Sequence, residues 1–197
     1  MKRILLTLVL GLGLLTANAQ IEKLAGPRIG FTFVSAGPIA DVLNDGFDFD
    51  ENDRYGSTGP AFTTLYGWQW ESRFADGGGE IVGIVEWIVL VGGMEKGMFL
   101  PSASSIIGAR MDNGLEFGVG PNLSLSGIGM VFGVGYNFKS GNLNLPINIS
   151  VIPGRKMDGV IWHHETYTGN GNNDWTEDYK YNIGTRIAIT VGFNMSK

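Results

Sequence analysis

Four long stretches of this chain alternate large apolar residues with small or polar ones, and that period of two constrains the fold more than any other feature. In Leu115–Ser126 the odd positions are Leu115, Phe117, Val119, Pro121, Leu123 and Leu125, and the even ones include Glu116, Gly118, Gly120, Asn122 and Ser124. Met130–Lys139 sets Phe132, Val134, Tyr136 and Phe138 against Gly133, Gly135, Asn137 and Lys139. Leu143–Ile152 and Ile183–Met195 repeat the pattern, the latter with Ile187, Ile189, Val191 and Phe193 opposite Arg186, Ala188, Thr190 and Gly192. Successive side chains of a strand point to opposite faces, so each stretch predicts a two-faced strand. Strands this long and this regular are uncommon in soluble domains, where about 5–6 residues is typical.

Four earlier segments complete the set. Arg28–Val34 aligns Ile29, Phe31 and Phe33, and Ala61–Phe74 aligns Phe62, Tyr66, Trp68, Trp70 and Phe74. Glu80–Val91 is apolar on both faces around Glu86, and Met98–Met111 carries the weakest alternation because Pro101 interrupts it. Asp76–Gly79, Asp112–Gly114 and Ser140–Asn142 have the composition of tight hairpin turns. The alternate connections are Gly37–Gly59, Gly92–Gly97, Gly127–Gly129 and Pro153–Tyr179, two of them long. The expected architecture is therefore all-β, eight antiparallel up-and-down strands with short turns at one end, longer loops at the other and both termini at the short-turn end.

The start of the chain reads as an export signal. Lys2 and Arg3 precede the apolar run Ile4–Leu15, and Ala17-Asn18-Ala19 supplies a small-x-small cleavage pattern before Gln20. The run is too short for a membrane-spanning helix, which needs about 20 residues. The domain reading is a signal peptide over 1–19 and a β-barrel over 20–197. An exported chain that crosses a membrane without helices must do so as a closed barrel.

The turn pattern, strand count and final strand together resemble the small outer-membrane barrels of the OmpA/OmpX type. Asn182-Ile183-Gly184-Thr185-Arg186-Ile187-Ala188-Ile189 is similar to the assembly signal of their last strands, although the chain ends Phe193-Asn194-Met195-Ser196-Lys197 without a terminal aromatic. The resemblance implies a closed transmembrane barrel in the outer membrane of a Gram-negative-type bacterium, in contact with outer-membrane lipid.

The two faces support the same orientation. Bulky residues such as Trp68, Trp70, Phe117 and Phe132 would crowd an eight-stranded lumen but suit lipid, with Tyr66, Trp87, Tyr136 and Phe138 as further interfacial aromatics. The other face carries Arg28, Glu71, Arg73, Glu86, Arg110, Glu116 and Arg186, which a narrow interior must pair into a salt-bridged plug. Much of the glycine, 31 residues of 197, falls on this small face or in turns. A lipocalin-like soluble carrier would share the strand count and is the structural alternative.

Functionally, the net charge of −5 argues against nucleic acid as a partner. The absence of cysteine removes disulfides, thiolate metal sites and cysteine nucleophiles. No cofactor, metal or catalytic residue is assigned. The acidic run Asp45–Asp53 lacks the ligand order of an EF-hand, and His163, His164 and Glu165 offer at most two metal ligands on one side of a strand. A lipid-modifying enzyme using His163 or His164 remains the enzymatic alternative, without a Gly-x-Ser-x-Gly elbow to support it. Activity is expected in the loops 37–59 and 153–180, acidic overall, where a surface ligand or envelope protein would be met. Within the latter, Val160–Thr168 and Trp175–Tyr181 are expected to extend a hairpin beyond the barrel.

Overall fold

The alternating stretches become the walls of a closed barrel. Eight walls follow one another in chain order: β1 (Lys23–Val34), β2 (Ala61–Asp76), β3 (Ile81–Gly92), β4 (Leu100–Met111), β5 (Leu115–Ser124), β6 (Gly127–Ser140), β7 (Leu143–Ile152) and a final wall made of β10 (Arg186–Gly192) and β11 (Asn194–Met195). This computed structural model describes residues 23–47, 59–76, 80–166 and 172–195; the expected signal segment and most of the acidic run after Phe47 lie outside them. Every neighbouring pair is antiparallel, and β1 closes the cylinder by pairing with β2 on one side and with β10 and β11 on the other. The hairpin β8 (Lys156–Thr166) with β9 (Asn172–Asn182) forms a separate two-stranded sheet inserted between β7 and β10.

The faces sort as the period of two requires. Phe31, Phe62, Trp68, Trp70, Trp87, Phe117, Phe132 and Tyr136 all project outward and remain exposed, Trp87 at 56%. Trp70 and Trp87 stand directly opposite each other across β2 and β3. Ring contacts join Phe31 to Phe62 near the loop end and Tyr136 to Phe138 near the short turns. The inward face is not uniformly polar: Ile88, Ile106 and Val131 pack together inside the lumen with Leu90 and Ile152 against them. Glu80–Val91 is apolar on both faces, so its inward half supplies part of this layer.

Several boundaries differ from the sequence expectation. The segment Gly37–Gly59 is not all loop, because Pro38–Asp45 forms a helix, α1. Proline suits the first helical turn, where its missing N–H costs nothing, and Gly46 ends the helix at φ 86. Ala40 and Leu43, three residues apart, are buried against Val34 and Ala61, which stabilises a helix too short to stand alone. The turn between β5 and β6 falls at Leu125-Ser126 rather than Gly127–Gly129, with Gly127 at φ 91 opening β6. The last wall begins at Arg186, not Ile183, because Gly184 adopts φ 88 and breaks the extended run. That wall is interrupted again at Phe193, whose N–H still bonds the Pro27 carbonyl at 3.0 Å.

Neighbouring backbones come close at some inward glycines and not at others. A Cβ on Gly120 would lie 1.8 Å from the Ser105 carbonyl oxygen, whereas one on Gly133 would meet nothing nearer than 3.9 Å. Backbone cannot swing aside as a side chain can. We therefore expect Gly120→Ala to destabilise the barrel by about 1–3 kcal/mol, as overpacking does, and Gly133→Ala to be tolerated. Urea unfolding of both variants in lipid vesicles, followed by tryptophan fluorescence, measures the difference.

Candidate functional site

The cross-strand register creates an electrostatic problem inside the barrel. Glu71 on β2 and Glu86 on β3 are direct partners, as are Arg110 on β4 and Glu116 on β5. Like charges placed opposite each other on one face repel. Arg110 resolves the conflict by reaching across the lumen: its Nη1 and Nη2 donate to the two Glu71 oxygens, both at 2.6 Å, and its Nε donates to Glu116 at 2.5 Å. Such a two-pronged guanidinium–carboxylate contact fixes geometry as well as charge. Glu86 instead accepts from Gln69 Nε2 and faces the Arg28 guanidinium. One arginine thereby ties three walls together.

Arg28 and Glu71 are 2% and 1% exposed, and Glu86, Arg110 and Glu116 are buried with them. Arg28 Nε and Nη2 have no hydrogen-bond partner among the described residues. They border a cavity of about 100 Å³ whose wall joins Glu86, Glu116, Ser104 and Asn148 to the aliphatic Ile88, Ile106 and Val131, with room for a few waters beside its polar groups. Toward the short turns the lumen is filled by Asn137, Asn144, Pro146 and Asn194, with Asn137 Nδ2 donating to Asn144 Oδ1 at 3.2 Å.

Of the seven inward charges expected from the sequence, five form this buried layer and two stand apart. Arg73 lies half-buried one inward position beyond Glu71 on β2. Arg186 sits at the other end, donating from Nη1 to Ser124 Oγ at 3.0 Å and from Nη2 to Asn122 Oδ1 at 3.2 Å. Periodicity places a residue on a face, but height along a tilted wall depends on register, which explains why the interior set divides.

A second cavity occupies the loop end, bounded by α1 on one side and the base of the β8–β9 hairpin on the other, with a volume of about 570 Å³. Ile39, Leu43, Leu100 and Met157 give it an apolar wall, and Arg155 and Arg186 border it. Thr32, Leu65, Ser102 and Arg186 line both this cavity and the inner one. The sequence analysis found neither the chamber nor Arg155. The helical signal that could have revealed it, Pro38 followed by Ala40 and Leu43, is only eight residues long and lies among turn formers.

A short 3-10 turn, Met94–Lys96, braces this end. The Glu95 carboxylate accepts from the Thr64 amide at 3.1 Å and from the Thr64 hydroxyl at 2.5 Å, while Lys96 Nζ donates to the Leu43 carbonyl of α1 at 2.7 Å. Desolvation is the largest single influence and pushes the Glu95 carboxyl upward, but the hydroxyls of Thr63 and Thr64 and two backbone amides together outweigh it and hold the group at about 2.

His163 and His164 lie on β8 opposite Trp175 and Asp174 of β9, so the expected hairpin is present with both histidines in it. Among the described residues no group of three or more His, Asp or Glu is placed to hold a metal ion.

With this geometry in view, the chain was compared with known proteins. No family model matches it, and no curated protein matches it. Among solved structures, the β-domain of the Bordetella autotransporter BrkA aligns over 88% of this chain and 99% of that one, at 10% identity and a TM-score of 0.24. A score that low carries no argument about kinship or activity, so the reading rests on this chain's own geometry.

Two outcomes follow from the site. Arg110→Met leaves Glu71 and Glu116 buried without their partner and should cost about 3–5 kcal/mol in urea unfolding, much of it recovered in Arg110→Met/Glu71→Leu. The Glu95 contacts stabilise the turn fully above the ordinary carboxylate pKa, because the folded value is depressed. That contribution is lost as pH falls from the ordinary value through about 2. Hydrogen exchange at the Thr64 amide should therefore stay slow down to about pH 4.5 and accelerate below it relative to the intrinsic rate, whereas Glu95→Gln should remove that dependence.

Proposed function

We propose that this chain is an integral outer-membrane barrel with a plugged interior, and that its role is structural or surface-interactive rather than catalytic, carried by the loop end. The carrying observation is the inverted distribution of polarity. Large apolar and aromatic side chains cover the outside, among them Ile29, Phe31, Phe33, Trp68, Phe117, Phe132 and Ile149, while Arg28, Glu71, Gln69, Glu86 and Glu116 are buried. A water-soluble protein rarely exposes a contiguous apolar surface beyond a few hundred Å², and a soluble carrier of apolar ligands would line its calyx with those residues instead. In a bilayer both faces are satisfied: lipid meets the aromatics, and opposite charges face one another across the lumen.

The wall lengths agree with this reading. They run from 10 residues in β5 to 16 in β2, against the roughly 9–11 tilted residues that cross a hydrocarbon core. β1 is paired along both sides, so the cylinder has no free edge. The resemblance to OmpA/OmpX-type barrels points the same way at the level of architecture, with the short turns periplasmic and α1 and the β8–β9 hairpin at the cell surface.

The chain has no cysteine, which makes topology directly readable. Asp158, exposed on the hairpin, and Ser140, exposed at a short turn, lie at opposite ends. In intact cells a membrane-impermeant maleimide should label Asp158→Cys and spare Ser140→Cys until the outer membrane is breached. Labelling of Ser140→Cys in intact cells would overturn the orientation, and recovery of the protein in the detergent-free soluble fraction would overturn the membrane reading.

A further inference from the structure

The loop-end chamber combines an apolar wall with a pair of guanidiniums that have no carboxylate partner among the described residues. Val34, Ile39, Leu43, Leu100, Met157 and Ile183 form the wall, contributed by β1, α1, β4 and the root of the hairpin. The basic pair is held on one turn. Arg186 donates to Ser124 Oγ at 3.0 Å, Arg155 Nη2 donates to the Ser126 carbonyl at 3.1 Å and its Nη1 to that of Ile128, and the two serine hydroxyls lie 2.9 Å apart. Gly127 makes room for this arrangement, since a Cβ there would stand 2.6 Å from Arg155 Nη2.

All these acceptors are neutral. Among the described residues neither arginine has an acidic partner, and the charge that bears on Arg186 is the like charge of Arg155. The Arg186 Nε is buried without a hydrogen-bond partner. Elsewhere in the barrel every charge of the buried layer faces an opposite one, so the pair at the mouth departs from the rule the interior follows. A guanidinium has five N–H donors, and each of these spends two on neutral oxygens, leaving donors for an anion. Carboxylates and phosphates fit the planar fork of arginine best.

We propose that the loop-end chamber is a binding site for a single-chain anionic amphiphile, whose acyl chain lies along the wall under α1 and whose carboxylate or phosphate head is held between Arg155 and Arg186. The volume of about 570 Å³ lies within the roughly 300–1,000 Å³ usual for small-molecule sites. Apolar burial supplies the affinity for the chain, and the positive charge of the two guanidiniums selects the head. The ionic layer below stops the ligand from passing further. The site goes beyond the structural role proposed above and does not depend on it, since it rests on the chamber rather than on the outer surface.

The test uses the full-length mature chain in phosphatidylcholine nanodiscs, with protein-free nanodiscs as the partitioning blank. Equilibrium dialysis of radiolabelled dodecanoate should show saturable binding of one molecule per chain, with dodecyl phosphate competing. The tighter of the two identifies the head group. Butanoate, which keeps the head and lacks the chain, should bind at least about tenfold more weakly. Arg155→Gln should weaken dodecanoate binding by about tenfold or more, as removal of a charge-assisted contact does, and Arg155→Gln/Arg186→Gln further still. Arg155 lies outside the barrel walls, so the single variant tests the head-group contact even if the double variant folds poorly. Absence of saturable binding overturns the proposal. So does dodecanol binding as tightly as dodecanoate, or an Arg155→Gln protein that binds like the parent.

Discussion

β1 is the strand on which the architecture depends. Its residues from Arg28 to Val34 are paired on both sides, to Gly67–Ala61 of β2 and to Gly192–Arg186 of β10. Without that second pairing the sheet would have two open edges, each a row of unpaired N–H and C=O groups ready to pair with another chain. Closure also fixes the width, and the width fixes what can lie inside: eight walls leave space for side chains and little else. The small residues along the inner face, the aliphatic layer around Ile106 and the ionic layer around Arg110 are three ways of filling the same narrow cylinder.

The ionic layer is a consequence of register as much as of composition. The antiparallel alignment that lets β2 and β3 pair puts Glu71 opposite Glu86, and no sliding by one residue is possible without turning both faces inside out. The repulsion is removed from elsewhere, by an arginine two walls away. Packing and electrostatics are therefore coupled: Arg110 both bonds Glu71 and Glu116 and holds β2, β4 and β5 at fixed separation.

The barrel is legible in the sequence because the evidence for it is repeated. From Leu115 to Ile152 the alternation and turn chemistry give strands β5, β6 and β7 to within a few residues, and the expected hairpin around Gly169–Asn173 has its counterpart in β8 and β9. Boundaries set by single glycines were less legible, since Gly184 and Gly127 end or open strands through backbone angles that a pattern of side chains does not encode. The inward charged residues could be named from periodicity alone, but not their grouping. Arg186 and Arg110 share a face and an alternation, yet register puts one at the mouth and the other in the plug. The chamber was invisible for a related reason. It is made where α1, the root of the hairpin and the rims of several strands converge, and no local stretch of sequence contains it.

The order of the inner layers gives the lumen a direction. From the loop end it runs through an apolar chamber, then a small cavity walled by the aliphatic layer with charged groups at its border, then the tied arginine and glutamates, and finally a packed floor of asparagines around Asn144 and Asn194. This is a cul-de-sac rather than a conduit. On the binding site proposed above, whatever enters from the loop end would leave by the way it came, so its occupancy would be set from that end alone.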